Sequence, residues 1–353
     1  MKISDIKQKY LIKTEECINE NGLSNSSAKI FSKGTILFTI FATLGEVCIL
    51  DIDAATNQAI AGITIDSDNV DRDYLYHYLR SKKTYVNFIG RGVAQNNINM
   101  GILRGFEILL PPLSKQHEIA TILGRLDDLI SLRKQQLAKL DELVKARFVE
   151  MFGDPMRNPS EWPIHQLQKY ILFLTSGSRG WAQYFTNSGE YFITIKNVKN
   201  CRVTLDDVQY VIPPNDAEAK RTKVEEGDLL ISITADLGRT GVITKEIADY
   251  GAYINQHLTC IRLDRKALHP LYVAYYMESE AGKTQFRLKN QNGVKAGLNF
   301  NAINSLNLMV PPLERQNYFV DFVAKMERQK LTIQQSLDKL EVLRKSLMQE
   351  YFG

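Results

Sequence analysis

The chain lacks any pair of cysteines close enough to act together. It has no apolar run long enough to cross a bilayer, and none of the short motifs that transfer phosphate, methyl or acyl groups. Each absence removes a class of function. The four cysteines, Cys17, Cys48, Cys201 and Cys260, are isolated and never spaced as CxxC, so zinc and dithiol redox sites are unsupported and reduced thiols are expected. The longest apolar stretch, about Ile36 to Leu44, is broken by threonines and falls far below the ~18 residues of a membrane span. The opening MKISDIKQKY carries no apolar signal core. A cytoplasmic protein without membrane contact is expected.

Catalytic signatures are missing as well. A base-methylating enzyme needs an N/D-P-P-aromatic string, and the nearest approach, Asn158-Pro159-Ser160-Glu161, lacks the second proline. Gly282-Lys283-Thr284 has Met277 where a phosphate-binding loop requires glycine. Asp216, Glu218 and Lys220 imitate a nuclease metal site but crowd into one acidic-basic turn. His77, His117, His165, His257 and His269 show no HExxH spacing, and solvated or satisfied roles are expected for all five. No catalytic residue and no metal site are therefore assigned. The formal charge of +4 on 353 residues excludes a polycation, so any nucleic-acid contact must come from local basic surfaces.

What is present is a duplication. Pro111-Pro112-Leu113 recurs as Pro311-Pro312-Leu313, and Phe152-Gly153 recurs as Phe352-Gly353, both at an offset of 200 (311 − 111). Gln116/Gln316, Leu137/Leu337, Leu140/Leu340 and Glu150/Glu350 keep that register without a slip. Leu123, Ile130, Leu137, Val144 and Met151 repeat every seven residues, as do Met326, Ile333, Leu340 and Leu347. Such a repeat winds an apolar stripe that a partner helix buries. Neither segment contains proline, and Gly124 is the only interior glycine. Two long helices of about 57 Å each are expected. Arg133 and Arg147 on the seam of the first, and Lys330 and Arg344 flanking that of the second, are expected to snorkel at its edge, with a partner carboxylate or a phosphate as the alternative.

A strand-rich globule precedes each helix. KGTILFTIFATLGEVCIL around Gly34 aligns with EGDLLISITADLGRTGVI around Gly227 at an offset of 193 (227 − 34). Asn57-Gln58 matches Asn255-Gln256, and Tyr74–Leu79 and Tyr272–Met277 read as short tyrosine-rich helices. The shifting offsets mean that the globules differ in their loops while the helices do not. Shared cores with different loops present different chemistry from one scaffold.

These features together resemble the DNA-specificity subunits of type I restriction–modification systems. The carriers are the two PPL-x-x-Q strings before the heptads, the closing Phe-Gly, the strand after each Gly34/Gly227 turn, the Asn-Gln pairs, and the FGDP join at Phe152–Pro155. The resemblance covers nearly the whole chain. It implies an α/β fold: two mixed α/β target-recognition domains separated by two long helices forming an antiparallel coiled coil. The expected segments are residues 1–112, 113–153, 154–312 and 313–353. It further implies a non-catalytic subunit on double-stranded DNA, each domain reading half of a bipartite target and the helices setting the gap. Two methylation subunits and the restriction subunits are the implied partners. This chain would hold no cofactor, with S-adenosylmethionine, ATP and Mg on those partner subunits.

The candidate DNA-binding residues are polar, basic and set in loops. In the second domain they are Ser176, Ser178, Arg179, Lys196, Asn197, Arg239, Thr240, Lys289, Asn290, Gln291, Asn292 and Lys295. In the first they are Thr43, Arg91, Gln95, Asn96 and Asn97. The Asn-Gln pairs, common to both domains, are read as turn caps, because readers of different half-sites should differ. One departure stands out. Ile3–Lys7 aligns with Ile195–Lys199, so about 30 residues matching the front of the second domain are missing before the first, from a shortened product, a recombined allele or a misplaced start. A competing reading follows: a partial subunit or non-reading scaffold whose first domain needs another chain, with self-association expected.

Overall fold

The computed structural model describes residues 1–26, 28–90, 97–290 and 297–353. It divides into two compact units, Met1–Leu137 with Thr332–Gly353, and Ala138–Leu331. Each unit holds one strand-rich globule and one half of each long helix.

The helices span Leu113–Phe152 and Leu313–Phe352. Each starts directly after a Pro-Pro pair, where the missing N–H groups have no helical partner to lose. Within each unit the two helical segments run antiparallel. In the first, Lys134 pairs with Glu341 at 2.8 Å and Asp127 with Arg344 at 3.3 Å, one number rising as the other falls. In the second, Asp141 pairs with Lys330, and Phe148 meets Phe319 at 5.3 Å between ring centroids. Leu126, Ile130 and Leu337 bury the seam of the first unit. Val144, Phe148, Phe319 and Val323 do so in the second.

The seam cations depart from expectation. Lys330 does not snorkel: it is 7% exposed and held by Asp141 and Glu327. Arg344 likewise takes Asp127. A carboxylate on the facing helix lies nearer than bulk water, and a buried ammonium without one would be strongly disfavoured. Arg133 and Arg147 instead bond Gln136 and Glu150 on their own helix, both at 2.8 Å, as edge side chains do.

The repeated glutamine fixes the start of each helix to its globule. Gln116 accepts from Asp71 N at 2.9 Å and donates to Asn69 O and Pro111 O at 2.9 and 2.8 Å. Gln316 accepts from His269 N at 2.8 Å and donates to Ala267 O and Pro311 O at 3.1 and 2.8 Å. Asp71 and His269 are the N-caps of the tyrosine-rich helices Arg72–Ser81 and Pro270–Glu278. Tyr74 and Tyr272 in those helices donate to Leu109 O and Met309 O. The repeated phenylalanine works across the repeat: Phe352 packs on Tyr74 at 5.1 Å and Phe152 on Tyr272 at 4.8 Å. Each long helix thus leaves its own globule and ends in the aromatic core of the other unit.

The sheets are related but unequal. In the first unit the order is Tyr10–Leu11, Val47–Leu50, Ile36–Thr39, Ile60–Ile63, with only the first pair parallel. In the second, Cys201–Val203, Thr240–Val242, Leu229–Ser232 and Leu258–Leu263 repeat this order. Ile171–Ser176 then adds antiparallel to Leu258–Leu263. A further sheet holds Ala252–Ile254, Glu190–Ile193, Gln209–Val211 and Phe185–Thr186. Among the described residues of the first unit, no strand matches Ile171–Ser176 or Glu190–Ile193. Volumes compensate locally: the Phe31 ring occupies the space a side chain at Gly62 would need, 2.3 Å from an added Cβ. The matching positions in the second unit hold Val224 and Cys260.

Candidate nucleic-acid interface

In the second unit, backbone bonds draw four segments to one end of the sheet. Ile233 donates to His257 O at 3.0 Å, Leu298 donates to Ile233 O at 2.9 Å, and Thr234 bridges Gly297. Ser178 donates to Ile254 O at 2.9 Å, and Gln256 donates back to Ser178 O at 3.0 Å. The loop after Ile171–Ser176, the turn after Leu229–Ser232 and the Asn255–His257 turn are therefore neighbours. Gly297 and Leu298 join them through Thr234 and Ile233.

Each turn has a local cause. The hydroxyl of Ser232 bonds Asp236 O and accepts from Arg239 N at 2.8 Å. Asn255 accepts from His257 N at 3.2 Å, the cap expected for the Asn-Gln pair. Asn57 does the same for Ala59 N at 3.1 Å in the first unit. Gly177 is required because Asn255 O and Ile254 O lie 2.2 Å from where a Cβ would stand. Gly180 has φ +70°, a left-handed turn that sets Arg179 outside and Trp181 inside. Trp181 is buried and stacks on Phe192 at 5.7 Å.

The residues named from sequence fall into distinct groups. Arg179 and Lys196 are exposed and without a hydrogen bond or ion pair among the described residues, so their donors face outward. Ser176 is half-buried and its carbonyl accepts from Arg221 at 2.8 Å. Arg239 lies at the turn, with its guanidinium on Asp236 at 2.5 Å. Lys289 donates to Ser305 Oγ at 2.8 Å, and Asn290 accepts from Gly297 N at 3.1 Å.

Three expectations are corrected. Ser178 is 1% exposed and its hydroxyl pairs with Thr222. Asn197 is equally buried, capping Thr194 and donating to Asp206 O at 3.1 Å. Thr240 is fully buried and donates to Ala274 O at 3.1 Å. Each polar group is buried and already paired, Ser178 with a side-chain hydroxyl and Asn197 and Thr240 with backbone, so none faces a ligand. Gln291, Asn292, Lys295, Arg91, Gln95 and Asn96 lie outside the described residues.

Sequence reasoning missed Thr234 and His257, whose Oγ1 and Nδ1 meet at 2.5 Å beside Gln256. The signal was available: these positions match Phe41 and Ala59, so they are where the repeats differ. In the first unit the equivalent end carries Phe41, Thr43, Asn57 and Gln58, all exposed, and Asn97 bridging Phe41. It has no counterpart of the Arg179 loop among the described residues.

Chemically, the second unit carries a half-buried amide, imidazole and hydroxyl bonded in a row, and the exposed guanidinium of Arg179 on the neighbouring loop. Those are groups that meet base edges in a groove. No group of His, Cys, Asp or Glu able to hold a metal occurs among the described residues. No described helix is long and apolar enough to cross a membrane.

The family model of the type I restriction modification DNA specificity domain matches residues 3–142 and 171–342. The chain is similar to the type I restriction enzyme MjaIX specificity subunit of Methanocaldococcus jannaschii, 31% identical over 208 residues, 54% of this chain and 48% of that one. It is 20% identical over 298 residues to the EcoBI specificity subunit of Escherichia coli, covering 77% of this chain and 62% of that one. The chain spans about half the length of the curated relatives it matches. Its fold matches a chain from a study of complex assembly and conformational transition of the type I R-M system, with TM-score 0.61, 18% identity and coverage of 99% and 90%. It also matches the S subunit from M. genitalium, with TM-score 0.57, 15% identity and coverage of 92% and 84%.

Proposed function

The chain belongs to the type I restriction modification DNA specificity family, and from that premise we propose that it is the non-catalytic subunit that selects the DNA target. The second unit reads one half of a bipartite site with Arg179, His257 and Thr234. The first reads the other half with Thr43, Asn97 and the 91–96 segment. Arg179 takes guanine O6 and N7, and Lys196 and Lys289 neutralise phosphate. The two long helices set the spacer and dock two methylation subunits, to which restriction subunits add. S-adenosylmethionine, ATP and Mg belong to those partners.

The observation that carries this reading is the contrast within the duplication. The glutamine clasp, the tyrosine bond and the closing phenylalanine are identical in both units, while Thr234 and His257 at the sheet end of the second stand where the first has Phe41 and Ala59. A scaffold repeated with different surfaces suits a two-part target.

The test is to co-express the chain with a methylation subunit and map the methylated bases. A bipartite motif with a constant gap supports the reading. Stable complex without methylation would overturn it.

A second reading has its own support. The first unit lacks counterparts of two strands and of the Arg179 loop among the described residues, so it serves as a scaffold and only the second unit reads. A single, non-bipartite half-site would mark that case.

A further inference from the structure

Arg179 stands in a loop that is fixed on both sides of it. Gly177 N donates to Leu258 O at 3.1 Å, Ser178 N to Ile254 O at 2.9 Å, and Gln256 N returns to Ser178 O at 3.0 Å. Past Arg179, the left-handed Gly180 leads to Trp181, which is buried. These bonds tie the loop to the turn that follows Ala252–Ile254.

A second set of bonds comes from the short helix Ala217–Thr222. Arg221 Nη1 donates to Ser176 O at 2.8 Å and to the hydroxyl of Thr175. The next residue, Thr222, is 1% exposed, and its hydroxyl meets that of Ser178 at 3.1 Å. Thr222 Oγ1 donates its one proton to Glu218 O at 2.9 Å, so Ser178 is the donor between the two hydroxyls. Arg221 turns one nitrogen to two acceptors of the loop, a geometry that a lysine ammonium on its flexible stem holds less firmly. Neither residue belongs to the shared frame. By the offset of 193 that matches Gly34 with Gly227, Arg221 and Thr222 stand where the first unit has Ala28 and Lys29.

A bidentate contact to guanine needs two nitrogens aimed at O6 and N7 together, and the backbone that carries the side chain sets the aim. We propose that Arg221 and Thr222 are positioning residues for base choice. They brace Ser176 and Ser178, and so fix the direction in which Arg179 leaves the loop. Without the brace Arg179 still reaches DNA, but it meets other bases nearly as well as guanine. The proposal rests on the reading of guanine by Arg179 set out above. It goes beyond that reading by giving base choice to two residues that touch no base.

The experiment uses the full chain co-expressed with a methylation subunit and sequences the modified DNA. Arg179→Ala first marks the motif position that it relaxes. Arg221→Ala should relax that same position, raising the share of sites modified with another base about tenfold, and leave the other positions unchanged. Added to Arg179→Ala it should change the share by less than about twofold, because its effect passes through Arg179. Arg221→Lys should restore part of the choice. Thr222→Val, which keeps the shape and removes the hydroxyl, should act as Arg221→Ala does, whereas Thr222→Ser should not. Tryptophan fluorescence in urea checks that the second unit is folded in each variant. The proposal is overturned if Arg221→Ala weakens modification at every sequence alike, the mark of a phosphate contact or of lost stability. It is equally overturned if the effects of Arg179→Ala and Arg221→Ala multiply. An Arg179→Ala chain that relaxes no position overturns the reading of guanine and the brace with it. Relaxation by Arg179→Ala but by neither Arg221→Ala nor Thr222→Val overturns the brace alone.

Discussion

Replacing Gln316 by leucine tests whether the repeated glutamine holds each helix to its globule. Gln316 is 0% exposed and serves three backbone groups: His269 N, Ala267 O and Pro311 O. Leucine has similar size but no polar atoms, so one N–H and two carbonyls lose their partners inside the core. Each orphaned group costs about 1 kcal/mol or more, and the added apolar surface returns part of it, for a net loss of about 2–3 kcal/mol. For a unit of this size the urea slope is about 2–3 kcal/mol per molar, so the midpoint should fall by about 1 M. Both tryptophans, Trp162 and Trp181, lie in the second unit, so their fluorescence reports that unit. Gln116→Leu removes the same three bonds from the first unit and should lower the midpoint seen by far-UV circular dichroism with little change in the tryptophan signal. A loss below about 0.5 kcal/mol for Gln316→Leu would refute the clasp, since surface substitutions alone reach that size.

Other outcomes follow from the same geometry. Inserting seven residues near Lys134 and seven near Gln334 should lengthen the gap of the methylated motif and leave both half-sites unchanged, read by sequencing modified DNA. Arg179→Ala should relax base choice in one half-site by about 1–3 kcal/mol, whereas Lys289→Ala should weaken all sequences alike and lower the salt slope by about one. Burial holds the His77 imidazole at a pKa of about 4, with Arg80 and Lys9 acting the same way and Asp127 opposing. The unfolded chain therefore takes up the proton first, and stability present above about pH 6.5 is lost as pH falls toward 4. Urea titration should show about 2 kcal/mol gone by pH 5, a loss absent in His77→Phe. Burial raises the thiols of Cys48, Cys201 and Cys260, while Cys17 is exposed, so a thiol reagent should titrate one cysteine in the native chain and four after unfolding.

The helices were legible because their signal is local and long. A seven-residue repeat without proline admits few alternatives over 40 residues. The glutamine was legible as a shared feature but not as a clasp, since its partners at Ala267 and His269 are distant in sequence. The candidate site was harder. Small polar residues serve turns and ligands equally well, so composition could not tell Arg179, which faces outward, from Ser178 beside it, which is sealed by Thr222. The test already applied to the Asn-Gln pairs would have helped. Asn197 stands where Asp5 stands in the first unit, and both accept a backbone N–H at the start of a short helical turn. Position-matched residues with one job in both units are scaffold. Thr234 and His257, which replace Phe41 and Ala59, were overlooked because histidines were weighed for catalytic spacing and not for difference.

The strained turns likewise belong to both units. Ala42 and Ala235 sit at φ 60° and 59°, a left-handed conformation that costs an alanine about 1 kcal/mol or more. Strain in a turn at a reading surface invites a functional explanation. Here the strain is common to both units, and so is its compensation. Thr39 Oγ1 donates to Thr43 O at 2.5 Å and accepts from Glu46 N at 2.9 Å, and Ser232 does the same for Asp236 O and Arg239 N. Gly45 and Gly238 follow at φ 78° and 81°, each closing its turn by donating its N–H to the carbonyl of Thr39 or Ser232 at 3.0 and 2.9 Å. The conformation therefore belongs to the frame. What changes is what the frame presents: Phe41 and Thr43 on one turn, Thr234 and Asp236 on the other. A turn whose shape is fixed by one buried hydroxyl does not depend on the side chains at its outward positions for that shape, and those are the positions that differ between the two units.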